Sequence, residues 1–96
     1  MSASYRESAN DFVAQEIRAE LARQRVSARE LARRMDVDQP WIQKRLAGVI
    51  PLRFGEVLEI ADLLKVPLER IAEGAIKRRF SHNRSDLRFH ALAVAF

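Results

Sequence analysis

Gln39 and Gln43 stand four residues apart, so a helix through them would carry both side-chain amides on one face. A carboxamide can bond bidentately to the exposed edge of adenine, and the neighbouring Lys44 can reach guanine O6/N7 or a phosphate. Other chemistries are poorly served. There is no cysteine, and His82 and His90 have no further Cys or His near them in sequence to complete a metal site. No candidate acid or base clusters with a nucleophile, and no glycine-rich phosphate loop exists, so an enzyme is not expected, and neither is a cofactor.

The charge is unevenly placed. Residues 18–53 hold nine Arg or Lys against four acids, whereas residues 54–73 hold two bases against five acids. A basic block beside an acidic one fits a protein with one face turned to a polyanion, although arginines also simply solvate helix surfaces. The net charge is +4 over 96 residues, a length that suits one domain with a modest core. No apolar run approaches a membrane span, and the opening MSASYRESANDF is polar rather than leader-like, so a cytoplasmic protein is the expectation.

Helices must position the glutamines. Residues 1–9 read as a flexible arm, and a first helix should start near Asn10 or Asp11 and carry Phe12, Val13, Ile17 and Leu21 at helical spacing to about Arg25. Ser27 and Glu30 form the S-x-x-E signature of a capping box, opening a second helix with Leu31, Ala32 and Met35 inward. After the short Asp36-Val37 link, Asp38 should cap a third helix with Pro40 in its first turn, Ile42 and Leu46 inward, and Gly48 as its stop. A fourth helix is expected over about Arg53 to Lys65, and a fifth from Val66-Pro67 through Ile71. Gly74 is a plausible end to that fifth helix, although Ala75 to Phe80 could continue it. Residues 81–86 have loop composition, and the alternation in Leu87 to Phe96 favours a strand, though its alanines also suit helix.

Two short helices on a tight link form a helix-turn-helix, whose second helix can enter a major groove. The run from Ile17 to Ile71 resembles the phage Cro/repressor type of helix-turn-helix domain, often called the XRE family. The resemblance lies in SARELARRM, VDQPWIQKRLAG and VLEIADLLKVPLERI. Ala32 stands at the family's small helix-contact position, Val37 and Ile42 at its apolar anchors, and Gly48 at its glycine after the recognition helix. Three positions depart: Ala28 where a phosphate-touching Gln is frequent, Asp36 in place of a frequent turn glycine, and Leu46 in place of a frequent glutamate. Asp36 tolerates the left-handed backbone better than most residues.

The resemblance implies an all-α, five-helix repressor-like bundle, set here over residues 10–80, with 81–96 left as a short C-terminal extension whose alternation favours a β-strand. It implies a double-stranded DNA operator as partner. Base contacts would come from Gln39, Gln43 and Lys44, the alternative for each being a merely exposed polar residue. Pro40 either sets the turn or also touches a thymine methyl. Trp41 either packs on a methyl or sugar, or folds back onto the second helix. Phosphate contacts would come from Ser27, Arg29, Arg33, Arg34, Arg45 and Arg53, with only part of the arginine set engaged. Glu56, Glu59, Asp62, Glu69 and Glu73 are expected as solvated acids kept off the phosphates.

One helix-turn-helix reads few base pairs, so a homodimer is expected. Its surface would be Ile76 and Phe80 of the fifth helix, or Phe89, Leu92, Val94 and Phe96 of the extension, the alternative for the latter being a frayed tail. The implied role is a phage or prophage repressor or Cro-like regulator that blocks or recruits polymerase, either as a whole protein or as part of a longer one. A competing role is an antitoxin that represses its own operon while holding a toxin.

Overall fold

The computed structural model describes the backbone of residues 2–95 and the side chains of residues 9–81. Five helices follow in order: α1 Ser2–Gln24, α2 Ala28–Met35, α3 Gln39–Leu46, α4 Phe54–Leu63 and α5 Leu68–Ala95. α1 packs mainly along α5, α2 pairs with α3, and α4 closes the bundle against α2 and α5. Each helix drives one fully buried branched side chain into the centre: Ile17, Leu31, Ile42, Ile60 and Ile71. Leu21, Ala32, Met35, Leu46, Ala61 and Leu64 complete the core around them.

The four inner helix ends share one device. Arg25, Asp36, Gly48 and Lys65 all take the left-handed conformation, with φ of 57°, 58°, 81° and 58°. Each is followed by a valine whose N–H reaches back to a carbonyl inside the helix. Val26 donates to Leu21 at 2.9 Å, Val37 to Ala32 at 3.0 Å, Val49 to Lys44 at 2.9 Å and Val66 to Ala61 at 3.0 Å. These are Schellman terminations, which satisfy carbonyls that would otherwise be orphaned. Val26, Val37 and Val66 then pack on the core, but Val49 is 71% exposed. Sequence reasoning anticipates the glycine and the aspartate. It does not anticipate Arg25 and Lys65, because neither residue type favours the left-handed region.

Two boundaries differ from expectation. α1 begins at Ser2, well before Asn10. α5 passes through Gly74, through residues 81–86 with their loop composition and into the 87–96 stretch whose alternation favours a strand, and it reaches Ala95, so neither the loop nor the strand is formed there. No Pro interrupts 68–95, and the Ala, Leu and Arg content there favours helix, so an alternation that mixes alanine into both faces carries little β signal. Gly74 is not a stop but a clearance. A Cβ there would lie 2.3 Å from the carboxyl carbon of Glu16 on α1.

Among the described residues of α1, that Glu16 is one of two buried acids, the other being Glu20. Glu16 pairs with Arg23 at 3.0 Å and with Arg78 of α5 at 2.9 Å. Glu20 pairs with Arg23 at 2.8 Å, accepts from Gln24 at 2.9 Å and lies 3.8 Å from Arg70 of α5. Burial alone would push the Glu20 carboxyl up, but the Gln24 amide and the Arg23 guanidinium outweigh it and hold the group below its ordinary value. Charged side chains thus join α1 to α5 beside the apolar core. No described helix is long and apolar enough to cross a membrane.

Candidate nucleic-acid interface

α2 and α3 are joined by Asp36, Val37 and Asp38 alone. Ser27 opens α2, its hydroxyl accepting the Glu30 N–H at 3.0 Å. Glu30 does not spend its carboxylate on the cap. It takes hydrogen bonds from Arg33 and, at 3.0 Å, from Arg34. These two guanidinium groups pull the Glu30 carboxyl down to about 2. Asp38 opens α3 in extended backbone, its carboxylate accepting the Trp41 N–H at 3.0 Å, and Pro40 occupies the first turn as expected.

α3 is two-sided. Ile42 and Leu46 are buried, whereas Gln39, Pro40, Gln43 and Lys44 are exposed. The two glutamine side chains therefore stand on a solvent face anchored from below by the core. Ser27, Arg29, Arg33, Arg34 and Arg53 are exposed on the elements around it, although Arg33 and Arg34 are engaged with Glu30 in the free protein. Among the described residues, no group of acids and histidines is placed to hold a metal ion.

Two residues on the flank of α3 behave differently from their neighbours. Trp41 is half-buried and packs against the core. Arg45 lays its guanidinium over the Trp41 ring, 3.6 Å from the centroid, and donates from Nη1 to the Trp41 carbonyl at 3.0 Å. Its Nε lies 3.6 Å from Oε1 of Glu56, and the side chain is only 15% exposed. Glu56 departs from the expectation of a solvated acid. Oε1 also accepts the Arg53 N–H at 2.9 Å, capping the start of α4, because a helix N-terminus leaves N–H groups that need an acceptor.

Two further ties were not legible. Arg18 of α1 donates to the carbonyl of Leu46 at the C-terminal end of α3, where a cation complements the helix dipole. Gln24 donates to the Leu64 carbonyl at 2.8 Å at the end of α4. Both span long stretches of chain, and a local pattern shows Arg18 and Gln24 only as polar residues between apolar ones.

A tight link, a capped second helix with a buried and a polar face, and covering helices on either side are the parts of one known unit, and the helix-turn-helix domain family matches residues 4–74. The chain belongs to that family. The match covers most of the sequence and agrees with the resemblance to the Cro/repressor type, so the protein carries a helix-turn-helix DNA-binding domain. α3 stands in the position of its recognition helix. No curated protein and no solved structure gives a significant match.

Within this domain Ile76 and Phe80, 65% and 58% exposed, lie one turn apart on α5. Ile76 borders a shallow apolar groove between α1 and α5, together with Phe12, Val13, Ala72 and Ala75. The side chains of Phe89, Leu92, Val94 and Phe96, and of His82 and His90, lie outside the described residues.

Proposed function

We propose that the protein is a sequence-specific regulator of transcription that binds duplex DNA as a homodimer at an inverted-repeat operator, in the manner of a phage or prophage repressor or Cro-like protein. The observation that carries this reading is the two-sided α3. Ile42 and Leu46 fix it to the core while Gln39, Gln43 and Lys44 are exposed, with no hydrogen bond or ion pair from their side chains among the described residues. Polar side chains presented in that way on a helix narrow enough for the major groove suit base-edge hydrogen bonding.

Arg29, Arg33, Arg34 and Arg53 supply the phosphate contacts, with Ser27 as a neutral donor. Arg53 precedes the α4 N-terminus, a place that itself favours an anion. Arg33 and Arg34 would exchange the Glu30 carboxylate for a phosphate, one anionic partner for another on an exposed surface. Pro40 lies on the exposed surface within reach of the same groove. A second copy meets the first along the face of α5 that carries Ile76 and Phe80, because Ile76 is exposed at the edge of an apolar groove whose burial against another chain is favourable.

The test is selection of binding sites by the purified protein from a random duplex pool at stated salt. Enrichment of an inverted repeat with half-sites about one helical turn apart is expected. Retention of duplexes without any sequence enrichment, even at low salt, would overturn the reading.

A further inference from the structure

Arg45 lies in the basic run beside the glutamines, yet it is the cation of α3 that the fold has withdrawn from solvent. Three contacts hold it: the Trp41 ring beneath its plane, the Trp41 carbonyl, and the Glu56 carboxylate across the gap to α4. Its Nε is buried and makes no hydrogen bond. A guanidinium kept that dry for a phosphate contact would have to abandon the stack and the pairing first. We infer that Arg45 is a positioning residue, a clamp that sets the base-reading helix at a fixed attitude to the α4 N-terminus and to Arg53. The inference rests on the proposed reading of α3 as base-contacting.

The clamp is a relay of short links. Trp41 belongs to the first turn of α3 and is seated on the core. Arg45, one turn later, covers it and extends toward α4. Glu56 receives Arg45 and at the same time holds the Arg53 N–H at 2.9 Å. The segment from Ala47 to Arg53 is thereby closed at its base by side chains from both helices. Gln39 and Gln43 on one side and Arg53 on the other then meet one duplex as a preset pair. A planar, stacked guanidinium suits that task; a lysine offers a point charge on a flexible stem and cannot replace it.

The two roles for Arg45 separate experimentally. Wild type, Arg45→Lys, Arg45→Ala, Glu56→Gln and Arg53→Ala are compared on two probes, a duplex selected by the wild-type protein and a duplex of unrelated sequence, over a salt series. Thermal unfolding of each variant fixes a working temperature at which all are folded. A clamp predicts that Arg45→Lys and Arg45→Ala both lose about tenfold on the selected duplex, the scale of one lost base-pair readout, with little change on the unrelated one. The salt slope should stay that of wild type. Arg53→Ala should instead lower the slope by about 0.9 and weaken both probes together. Glu56→Gln should fall between wild type and Arg45→Ala on the selected duplex. A loss of fold stability alone would not change the ratio between the two probes.

A DNA-free arm uses the single tryptophan. Acrylamide should quench Trp41 fluorescence more readily in Arg45→Lys and Arg45→Ala than in wild type, and no more readily in Arg53→Ala. Wild-type binding by Arg45→Lys, a slope lowered by about 0.9 in Arg45→Ala, or unchanged quenching would each overturn the clamp. If the wild-type protein discriminates between no duplexes, the base-reading role fails, and the clamp has no DNA-reading helix to set. Unchanged quenching would instead overturn the clamp itself, so the two failures are told apart.

Discussion

The Glu16 carboxylate of α1 occupies the space that a side chain at residue 74 of α5 would need, with Oε1 2.5 Å and Oε2 2.6 Å from where a Cβ would stand. Two arginines pin that carboxylate, so it has little freedom to retreat. The missing side chain of Gly74 and the buried charge of Glu16 are one feature of the α1–α5 contact.

Gly74→Ala should therefore destabilise the domain, against the ordinary gain of about 1 kcal/mol for replacing a mid-helix glycine. Displacing a largely buried, paired carboxylate costs more than that gain, and a net loss of about 1–2 kcal/mol is expected. Urea unfolding measures it, and a rise in midpoint at constant slope would show that Glu16 moves aside freely.

Acid should loosen the domain by way of Glu20 and Glu30. Both carboxyls are held below their ordinary value in the folded chain, Glu30 at about 2 against 4.5. The unfolded chain therefore binds more protons, so their contribution is fully present above pH 4.5 and is lost as the pH falls toward the folded values. Thermal unfolding followed through that interval should show a shallower decline in Glu20→Gln than in wild type, from a lower starting point. Parallel declines would contradict the pairing.

On DNA, Gln43→Ala should relax the preference at one base position and cost roughly 1–3 kcal/mol on the selected site. The measurement is a repeat of site selection with the variant. An unchanged consensus would place Gln43 outside the groove.

Lys65 holds a left-handed conformation with φ of 58°, which burdens any residue that has a Cβ. Lys65→Gly removes that strain at some entropic cost in the unfolded chain, leaving a gain of about 0.5–1 kcal/mol. A higher Tm with unaltered DNA binding is expected, since Lys65 lies at the far end of α4 from Arg53.

Ile76→Glu should convert a dimer into a monomer with little change in Tm below the dissociation range, because Ile76 is exposed in the single chain. Sedimentation or light scattering reads the mass. A dimer that survives both this change and deletion of residues 86–96 would remove both proposed surfaces.

The elements around the glutamines were readable from the sequence because their signals are local. Ser27, Asp38 and Pro40 mark helix starts by short-range hydrogen bonding and fixed φ, and Gly48 marks an end by its freedom at positive φ. The four-residue spacing of Ile42 and Leu46 orients α3, and so its polar face, without knowledge of any other helix. The start of α1 and the end of α5 carry no such marks, and the read boundaries at Asn10 and near Gly74 fall where the backbone runs on.

What only the packed chain decided is where charge goes once helices meet. Glu56 is expected as a solvated acid and Glu16 and Glu20 carry no mark at all in the sequence, yet Arg45, Arg78 and Arg70 reach them from other helices. Arg45 reads as a free cation beside two glutamines until Trp41 and Glu56 are seen to enclose it. Helical periodicity follows from backbone geometry within one turn, whereas an ion pair between helices depends on how two helices cross, and a one-dimensional pattern does not encode that crossing.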